Sequence, residues 1–197
     1  YGRFENVIAH DSISKMLTVL AGLIAVYLTT YNVGQVVLLY PIVLLVLGII
    51  LGRLSLSKVE EKDSVVQNRW TILYWTFIAI IGIYLTRMYI ESTQMASQFV
   101  GFDAYLFTVL MAISEELFFR GFLTNLLIEK MSPPLGVVAS AMIFTVFHFA
   151  RYGQFMTSLL YVLGGGAILG WVAYRSGRLS PVMLAHIFNN VSALMGW

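Results

Sequence analysis

The sequence contains no cysteine, which excludes disulfides and thiolate metal sites and leaves the redox compartment undetermined. Charge is also scarce, since only 11% of the 197 residues are charged, against about 25% in a soluble domain. With 59% hydrophobic residues, the chain has too little polar surface to solvate a globule of this size. We therefore expect lipid to be the solvent for much of it. The net charge of +2 comes from scattered residues and indicates no nucleic-acid partner.

The hydrophobic residues form seven runs, each close to the roughly 20 residues that a membrane-spanning helix needs. The runs lack the alternation of barrel strands, and a helix pairs its backbone groups within one segment, as lipid requires. Their approximate bounds are 13–30, 35–56, 70–90, 103–128, 135–150, 155–174 and 179–197. In the second run, Gly48 and Gly52 form a small-residue pair for close helix contact. The sequence predicts an all-α, polytopic transmembrane helix bundle of about seven spans, forming a single membrane domain over 1–197.

The start of the chain does not resemble a cleavable signal peptide, because Arg3, Glu5 and Asp11 precede the first run and no small-residue cleavage site follows it. Basic residues predict the orientation. With the N-terminus cytoplasmic, the outside loops hold only two of the 12 lysines and arginines, Arg87 and Arg151. The inside loops hold Arg3, Lys15, Arg53, Lys58, Lys62, Arg69, Lys130, Arg175 and Arg178. The C-terminus is then predicted to lie outside.

Two acidic residues and one basic residue lie inside the fourth run. Each ionisable side chain within a membrane span raises the free energy of insertion by roughly 2.5–3.5 kcal/mol. Glu116 and Arg120 are four residues apart and can pair on one helix face. Glu115 is rotated by about 100° from Glu116, so it can face the bundle interior. As a hypothesis, Arg120 neutralises and orients Glu116, while Glu115 is suited to accept a proton from water. The alternative is an arginine–glutamate interaction that holds helices together and has no catalytic role.

Two further runs carry polar side chains at helical spacing. His148 lies one turn beyond Phe144 on the same face of the fifth run. His186 and Asn190 are four residues apart in the seventh run, so both can hydrogen-bond one oxygen. Taken singly, each has a structural explanation, namely packing for His148 and interhelical hydrogen bonding for the other two. Taken together, the groups on three helices indicate one convergent polar pocket, because nothing else in the runs would compensate for their burial.

These patches resemble the motif set of the CPBP family, which comprises the CAAX proteases and bacteriocin-processing enzymes and is also called the Abi family. The family pattern places one motif on each of three helices. The motifs here are Glu115-Glu116-x-x-x-Arg120, Phe144-x-x-x-His148 and His186-x-x-x-Asn190, in the family's order. The resemblance covers the motif-bearing region 103–197, whereas 1–102 resembles the family only as generic spans. A eukaryotic relative is an eight-helix bundle, so the resemblance allows up to eight spans.

The resemblance implies an intramembrane endopeptidase that acts on a membrane-associated peptide or protein. We expect the membrane to be a bacterial plasma membrane, and in bacteria the resemblance suggests peptide maturation, bacteriocin self-immunity or signalling-peptide processing. By the same resemblance, Glu115 activates water, His148 holds that water, and His186 and Asn190 stabilise the tetrahedral oxyanion. The residues expected to support the site are Glu116, Arg120 and Phe144.

The involvement of a metal is left open by the sequence. Glu115, His148 and His186 could supply three nitrogen and oxygen ligands with an open fourth position, as catalytic zinc requires. In the alternative, Glu115 and His148 activate water directly and no cofactor is used. The chain lacks the His-Glu-x-x-His helix of zincins.

Two functions without proteolysis stand beside the peptidase. One is a membrane scaffold that binds a membrane or extracellular partner protein. The other is a transporter or proton relay, since buried acids and histidines also serve those functions. The presence of both Glu115 and His148 argues against a scaffold, and the halves of the chain show no inverted repeat of the transporter type.

Overall fold

The computed structural model describes residue 22 and residues 39–56, 69–90, 101–152 and 155–196. All regular structure in these residues is helical. The helices are α1 (Leu39–Leu56), α2 (Arg69–Tyr89), α3 (Phe102–Glu115), a π-helical segment (Glu116–Thr124), α4 (Asn125–Lys130), α5 (Pro133–Tyr152), α6 (Met156–Ser176) and α7 (Ser180–Leu194). Because α3, the π-helical segment and α4 follow one another without a break, the described chain forms six continuous rods.

Each rod coincides with one of the predicted runs, from the second to the seventh. The first run, 13–30, lies outside the described residues apart from Gly22. Within the described part of the chain, α2 and α6 are the helices long and apolar enough to cross a membrane. The apolar stretches of α1 and α5 are shorter, and the third rod contains three charged motif residues. The all-helical fold is therefore confirmed for the described residues, whereas the count of seven spans is not confirmed.

Proline and glycine explain where the C-terminal helices begin and end. Pro133 is the first residue of α5 and Pro181 lies in the first turn of α7, positions at which a missing backbone N–H is harmless. Gly177 follows α6 with φ +64°, and its N–H donates to the carbonyl of Ala173 at 3.0 Å. This left-handed glycine closes the last turn of α6 and turns the chain towards α7.

Two apolar clusters hold the rods together. The first joins α1, the π-helical segment and α5 through Leu44, Leu51, Phe118, Phe119, Phe122, Leu123 and Phe144. The second joins α2, α6 and α7 through Ala79, Ile83, Leu169, Val172, Ala173, Val182 and Ala185. Phe144 belongs to the first cluster and Ala185 of the second directly precedes His186, so both clusters flank the predicted site.

The outer face of α2 is strongly apolar. Trp70, Phe77 and Tyr84 are each at least 60% exposed, and further large hydrophobic side chains lie between them. Soluble monomers rarely expose a contiguous apolar surface of this kind. The face is suited to contact with lipid, in agreement with the low charge content of the chain.

A close helix contact at Gly48 positions α1 against the π-helical segment. A Cβ atom at Gly48 would lie 2.8 Å from Leu117 Cβ and 3.0 Å from the backbone nitrogen of Phe118. These distances are shorter than ordinary van der Waals contact, so only glycine permits this approach. The small-residue contact predicted at Gly48 is confirmed.

We expect Gly48→Ala to lower the free energy of unfolding by about 1–3 kcal/mol, because the added methyl group meets backbone atoms that cannot turn aside. Unfolding in detergent, followed by circular dichroism, measures the effect. Gly165→Ala is the matched control, since no heavy atom of the described residues outside its chain neighbours and the backbone of its own helix lies within 4 Å of its Cβ position. Equal losses in both variants would contradict the close-contact explanation.

Candidate active site

The two glutamates of the first motif lie on either side of a change in helical winding. Glu115 is the last residue of α3 and Glu116 the first of the π-helical segment, and they are 3% and 0% exposed. Arg120 Nη1 donates to Glu116 Oε1 at 2.7 Å, so the ion pair predicted from the four-residue spacing is present. Glu116 Oε2 is buried without a hydrogen-bond partner in the described part of the chain. The negative charge of Glu116 is therefore balanced by the groups at Oε1.

Arg120 connects the π-helical segment to two other helices. Its Nη2 donates to the carbonyl oxygen of Gly166 in α6 at 3.3 Å. Its guanidinium carbon lies 4.3 Å from the ring centroid of Phe144 in α5, within range of a cation–π interaction. A Cβ atom at Gly166 would lie 3.2 Å from Phe144 Cδ1, so a glycine there lets α5 and α6 approach. Arg120 thus holds the first motif against α5 and α6.

His186 of α7 lies between the two glutamates. Its Nδ1 is 2.7 Å from Glu116 Oε1, and its Nε2 is 3.7 Å from Glu115 Oε2. A carboxylate oxygen that already accepts from Arg120 acts as an acceptor, so His186 Nδ1 carries the hydrogen. The sequence interpretation paired Glu116 with Arg120 alone. The structure adds a direct contact between Glu116 and His186, across 70 residues of sequence.

Phe144 is the common neighbour of the three motifs. Its ring lies 4.4 Å from the ring of His148 and 6.2 Å from the ring of His186 between centroids, and it faces Arg120 on another side. His148 Nδ1 lies 2.9 Å from the carbonyl oxygen of Phe144. A carbonyl only accepts, so Nδ1 donates and the lone pair of the neutral ring is on Nε2. His148 also stacks on Tyr152, with 6.2 Å between ring centroids.

Asn190 lies one turn beyond His186 on α7 and is half-buried. Its Oδ1 accepts a hydrogen bond from Asn189 Nδ2 at 3.2 Å. Asn189 Oδ1 in turn accepts from the hydroxyl of Tyr161 in α6 at 2.5 Å. The polar end of α7 is therefore joined to α6 through side chains that the motif pattern does not include.

The three residues considered as possible metal ligands do not form a metal site in the described residues. No group of three or more histidine, aspartate or glutamate side chains in this part of the chain is arranged to hold an ion. His186 approaches Glu115, but its other ring nitrogen is engaged by Glu116. The arrangement of Glu115, His148 and His186 therefore does not fit the metal alternative.

Four ionisable groups are buried together in this site. Glu115, Glu116, Arg120 and His186 are each at most 6% exposed. Burying a charge is costly unless it is paired, and ionisable residues inside membrane helices mark functional sites. Fold and site together define a helical protein with apolar, membrane-type helices and a buried acid–base cluster. This class includes intramembrane enzymes and ion-coupled transporters.

The family described as "Rce1-like: Type II CAAX prenyl endopeptidase Rce1-like" matches residues 97–192, a region that contains all three motifs. This region is therefore similar to the CAAX-type proteases of this family, which are integral membrane proteins. The resemblance to the CPBP family is thereby confirmed. No curated protein and no solved structure matches the chain at a level that supports an argument.

Several residues at the site were not singled out by sequence reasoning. No functional role was predicted for Gly166, and its carbonyl accepts from Arg120. No functional role was predicted for Asn189, and it links Tyr161 to Asn190. A tyrosine in an apolar run is a weak signal. The adjacent pair Asn189-Asn190 was the one sequence feature that could have indicated a polar chain at this end of α7.

Proposed function

We propose that this protein is an intramembrane endopeptidase that hydrolyses a peptide bond in a membrane-associated peptide or protein. The observation that carries the proposal is the position of Glu115. This carboxylate is buried at the end of α3, 3.7 Å from His186 Nε2, within the region that matches the CAAX prenyl endopeptidases. The neighbouring Glu116 takes the ion pair with Arg120. Adjacent acids with different partners support a division between a catalytic and a positioning carboxylate.

In the proposed reaction, Glu115 is the general base. It takes a proton from water while the water oxygen bonds to the carbonyl carbon of the scissile peptide. When the tetrahedral intermediate collapses, the C–N bond breaks and the proton on Glu115 passes to the leaving amine. His148 holds the same water, because its neutral ring has the lone pair on Nε2 once Nδ1 donates to the Phe144 carbonyl. Phe144 positions this ring.

His186 and Asn190 are the proposed donors to the oxyanion. Because His186 Nδ1 donates to Glu116, Nε2 carries a hydrogen only when the ring is an imidazolium. The charges around the ring support that form. Glu115 and Glu116 supply two negative charges and Arg120 one positive charge, so an imidazolium makes the buried cluster neutral. A neutral cluster is the least costly state in a site with little solvent.

We further propose that the whole chain is one membrane domain with seven spans, in which 1–102 provides supporting helices and 103–197 the site. The excess of lysine and arginine on one side supports a cytoplasmic N-terminus and an outer C-terminus in a bacterial plasma membrane. The apolar outer face of α2 and the length of α6 support insertion in lipid.

Peptide cleavage by the purified protein in liposomes tests the proposed function. The probes are two fluorogenic peptides of one sequence ending in Cys-aliphatic-aliphatic-X, one prenylated on the cysteine and one not. We expect hydrolysis of a peptide bond, with one atom of ¹⁸O from labelled water in the new carboxylate by mass spectrometry. Preference for the prenylated peptide identifies a CAAX-type substrate, and equal rates identify a substrate without the lipid. Proton-coupled flux without hydrolysis of either peptide would contradict the proposal in favour of a transporter.

A further inference from the structure

Three hydrogen-bonded side chains, Tyr161, Asn189 and Asn190, connect α6 to the proposed oxyanion donor on α7. We call them the relay. The hydroxyl of Tyr161 donates to Asn189 Oδ1 at 2.5 Å, and Asn189 Nδ2 donates to Asn190 Oδ1 at 3.2 Å. Neither Tyr161 nor Asn189 belongs to the three motifs. Both are half-buried, where a hydrogen bond is stronger than it is in water.

The hydrogen bonds of the relay run in one direction from donor to acceptor, and this direction follows from the chemistry of the side chains. An amide has one accepting oxygen and one donating nitrogen. When Tyr161 donates to the oxygen of Asn189, the nitrogen of Asn189 is left to donate, and Asn190 must receive it through Oδ1. Asn190 Oδ1 is then held by Asn189, with one of its two lone pairs engaged. Asn190 Nδ2, with two hydrogens, is the donor available to a substrate oxygen.

We propose that Tyr161 and Asn189 are positioning residues that set the amide orientation of Asn190, so that Asn190 presents N–H donors to the peptide oxyanion. The inference rests on the proposed function, in which Asn190 is an oxyanion donor. An oxyanion accepts hydrogen bonds, so an Asn190 side chain turned by 180° would offer it an oxygen and repel it. The relay prevents that turn by holding the oxygen of Asn190 against Asn189.

The position of the Tyr161 hydroxyl is itself set by packing. Its ring packs against the second apolar cluster, which joins α6, α7 and α2. A preorganised donor costs little to hold in place when the reaction occurs. Packing of the Tyr161 ring against this cluster therefore restricts the position of Asn190 through the relay, at the less buried end of the site.

The first experiment compares kcat and KM of Tyr161→Phe with those of the parent, using the peptide cleaved in the liposome assay. Removing one hydroxyl should lower kcat about 3- to 10-fold, the size of one ordinary hydrogen bond, with KM unchanged because the oxyanion forms only in the transition state. Tyr174→Phe is the matched control, since Tyr174 is an exposed ring on the same helix. We expect this control to match the parent, and a Tyr161→Phe kcat equal to that of the parent would overturn the proposal.

The second experiment reverses the direction of the relay. Asn189→Asp keeps the shape of the side chain but cannot donate, so Asn190 must donate to it and turn its oxygen towards the substrate. Asn189→Leu removes the contact without imposing the reversed orientation. The relay predicts a larger loss of kcat for Asn189→Asp than for Asn189→Leu. A packing role predicts the opposite order, because aspartate is the closer match in shape, and that order would overturn the proposal.

A double-mutant cycle with Asn190→Ala separates the relay from a general effect of charge or stability. We expect Asn190→Ala alone to lower kcat about 100-fold, and Tyr161→Phe or Asn189→Asp to cause no further loss in that background. Persistent losses there would show that the two residues act by another route and would overturn the relay.

The Asn190→Ala variant also separates the relay from the proposed function. If Asn190→Ala is as fast as the parent, the proposed oxyanion role itself is wrong. If Asn190→Ala is slow while both relay variants match the parent, only the relay is wrong.

Discussion

Glu115→Gln is expected to reduce peptide hydrolysis by about 10²- to 10⁴-fold, the contribution of a positioned general base. Glutamine retains the size of the side chain at this buried position but cannot take a proton from water. The loss should appear in kcat, because proton transfer belongs to the chemical step. Initial rates in liposomes, at saturating peptide, measure it.

The control for Glu115→Gln is Glu129→Gln, the same change at an exposed glutamate of the same rod. We expect this control to cleave at the parent's rate. His148→Ala should be about as slow as Glu115→Gln, and the double variant no slower than either, since both residues act on one water. If Glu115→Gln and His148→Ala fold normally and still cleave as fast as the parent, the proposed mechanism is wrong. A partner-binding phenotype that survives Glu115→Ala would favour the scaffold.

Arg120→Met is expected to lower the free energy of unfolding by about 3–5 kcal/mol, the usual cost of removing one partner from a buried ion pair. Methionine fills much of the space of the arginine stem, so the main loss is electrostatic. Glu116 Oε1 would keep only His186 as a partner, and Glu116 Oε2 is buried with none among the described residues. The contacts of Arg120 with the Gly166 carbonyl and the Phe144 ring would also be lost. Chemical unfolding in detergent measures the change.

Two companion variants show whether the charge of Arg120 is the cause. Glu116→Gln combined with Arg120→Met removes both charges, and we expect it to recover part of the stability lost in Arg120→Met. Arg175→Met is the same change at an exposed position on α6 and should alter stability by less than about 0.5 kcal/mol. A double variant as unstable as Arg120→Met would assign the effect to lost packing instead of an unpaired carboxylate.

Local patterns in the sequence predicted the features that depend on neighbours along one helix. The apolar runs predicted the rods that the structure describes, and the spacing of Glu116 and Arg120 predicted their ion pair. These features depend on backbone pairing and side-chain spacing within a few residues, where helical geometry is the same in every protein.

The π-helical winding from Glu116 to Thr124 was not predicted. Apolar runs in a membrane are hydrophobic on all sides, so they carry little periodicity from which a change in winding could be read. Such winding often occurs at functional sites, and here it begins between the two glutamates. The π-helical segment packs against α1, where Gly48 allows close contact with Leu117.

The order of residues along the chain was enough to predict a helical and apolar protein, three polar motifs in the family's order, and the pairing of Glu116 with Arg120. Which motifs touch became clear only from the packing of the helices. This packing places His186 between Glu115 and Glu116, Arg120 on the Gly166 carbonyl, and Tyr161 behind Asn189 and Asn190. The physical reason is distance along the chain, because the contacts between helices join residues at least 28 positions apart, whose approach depends on how whole helices pack.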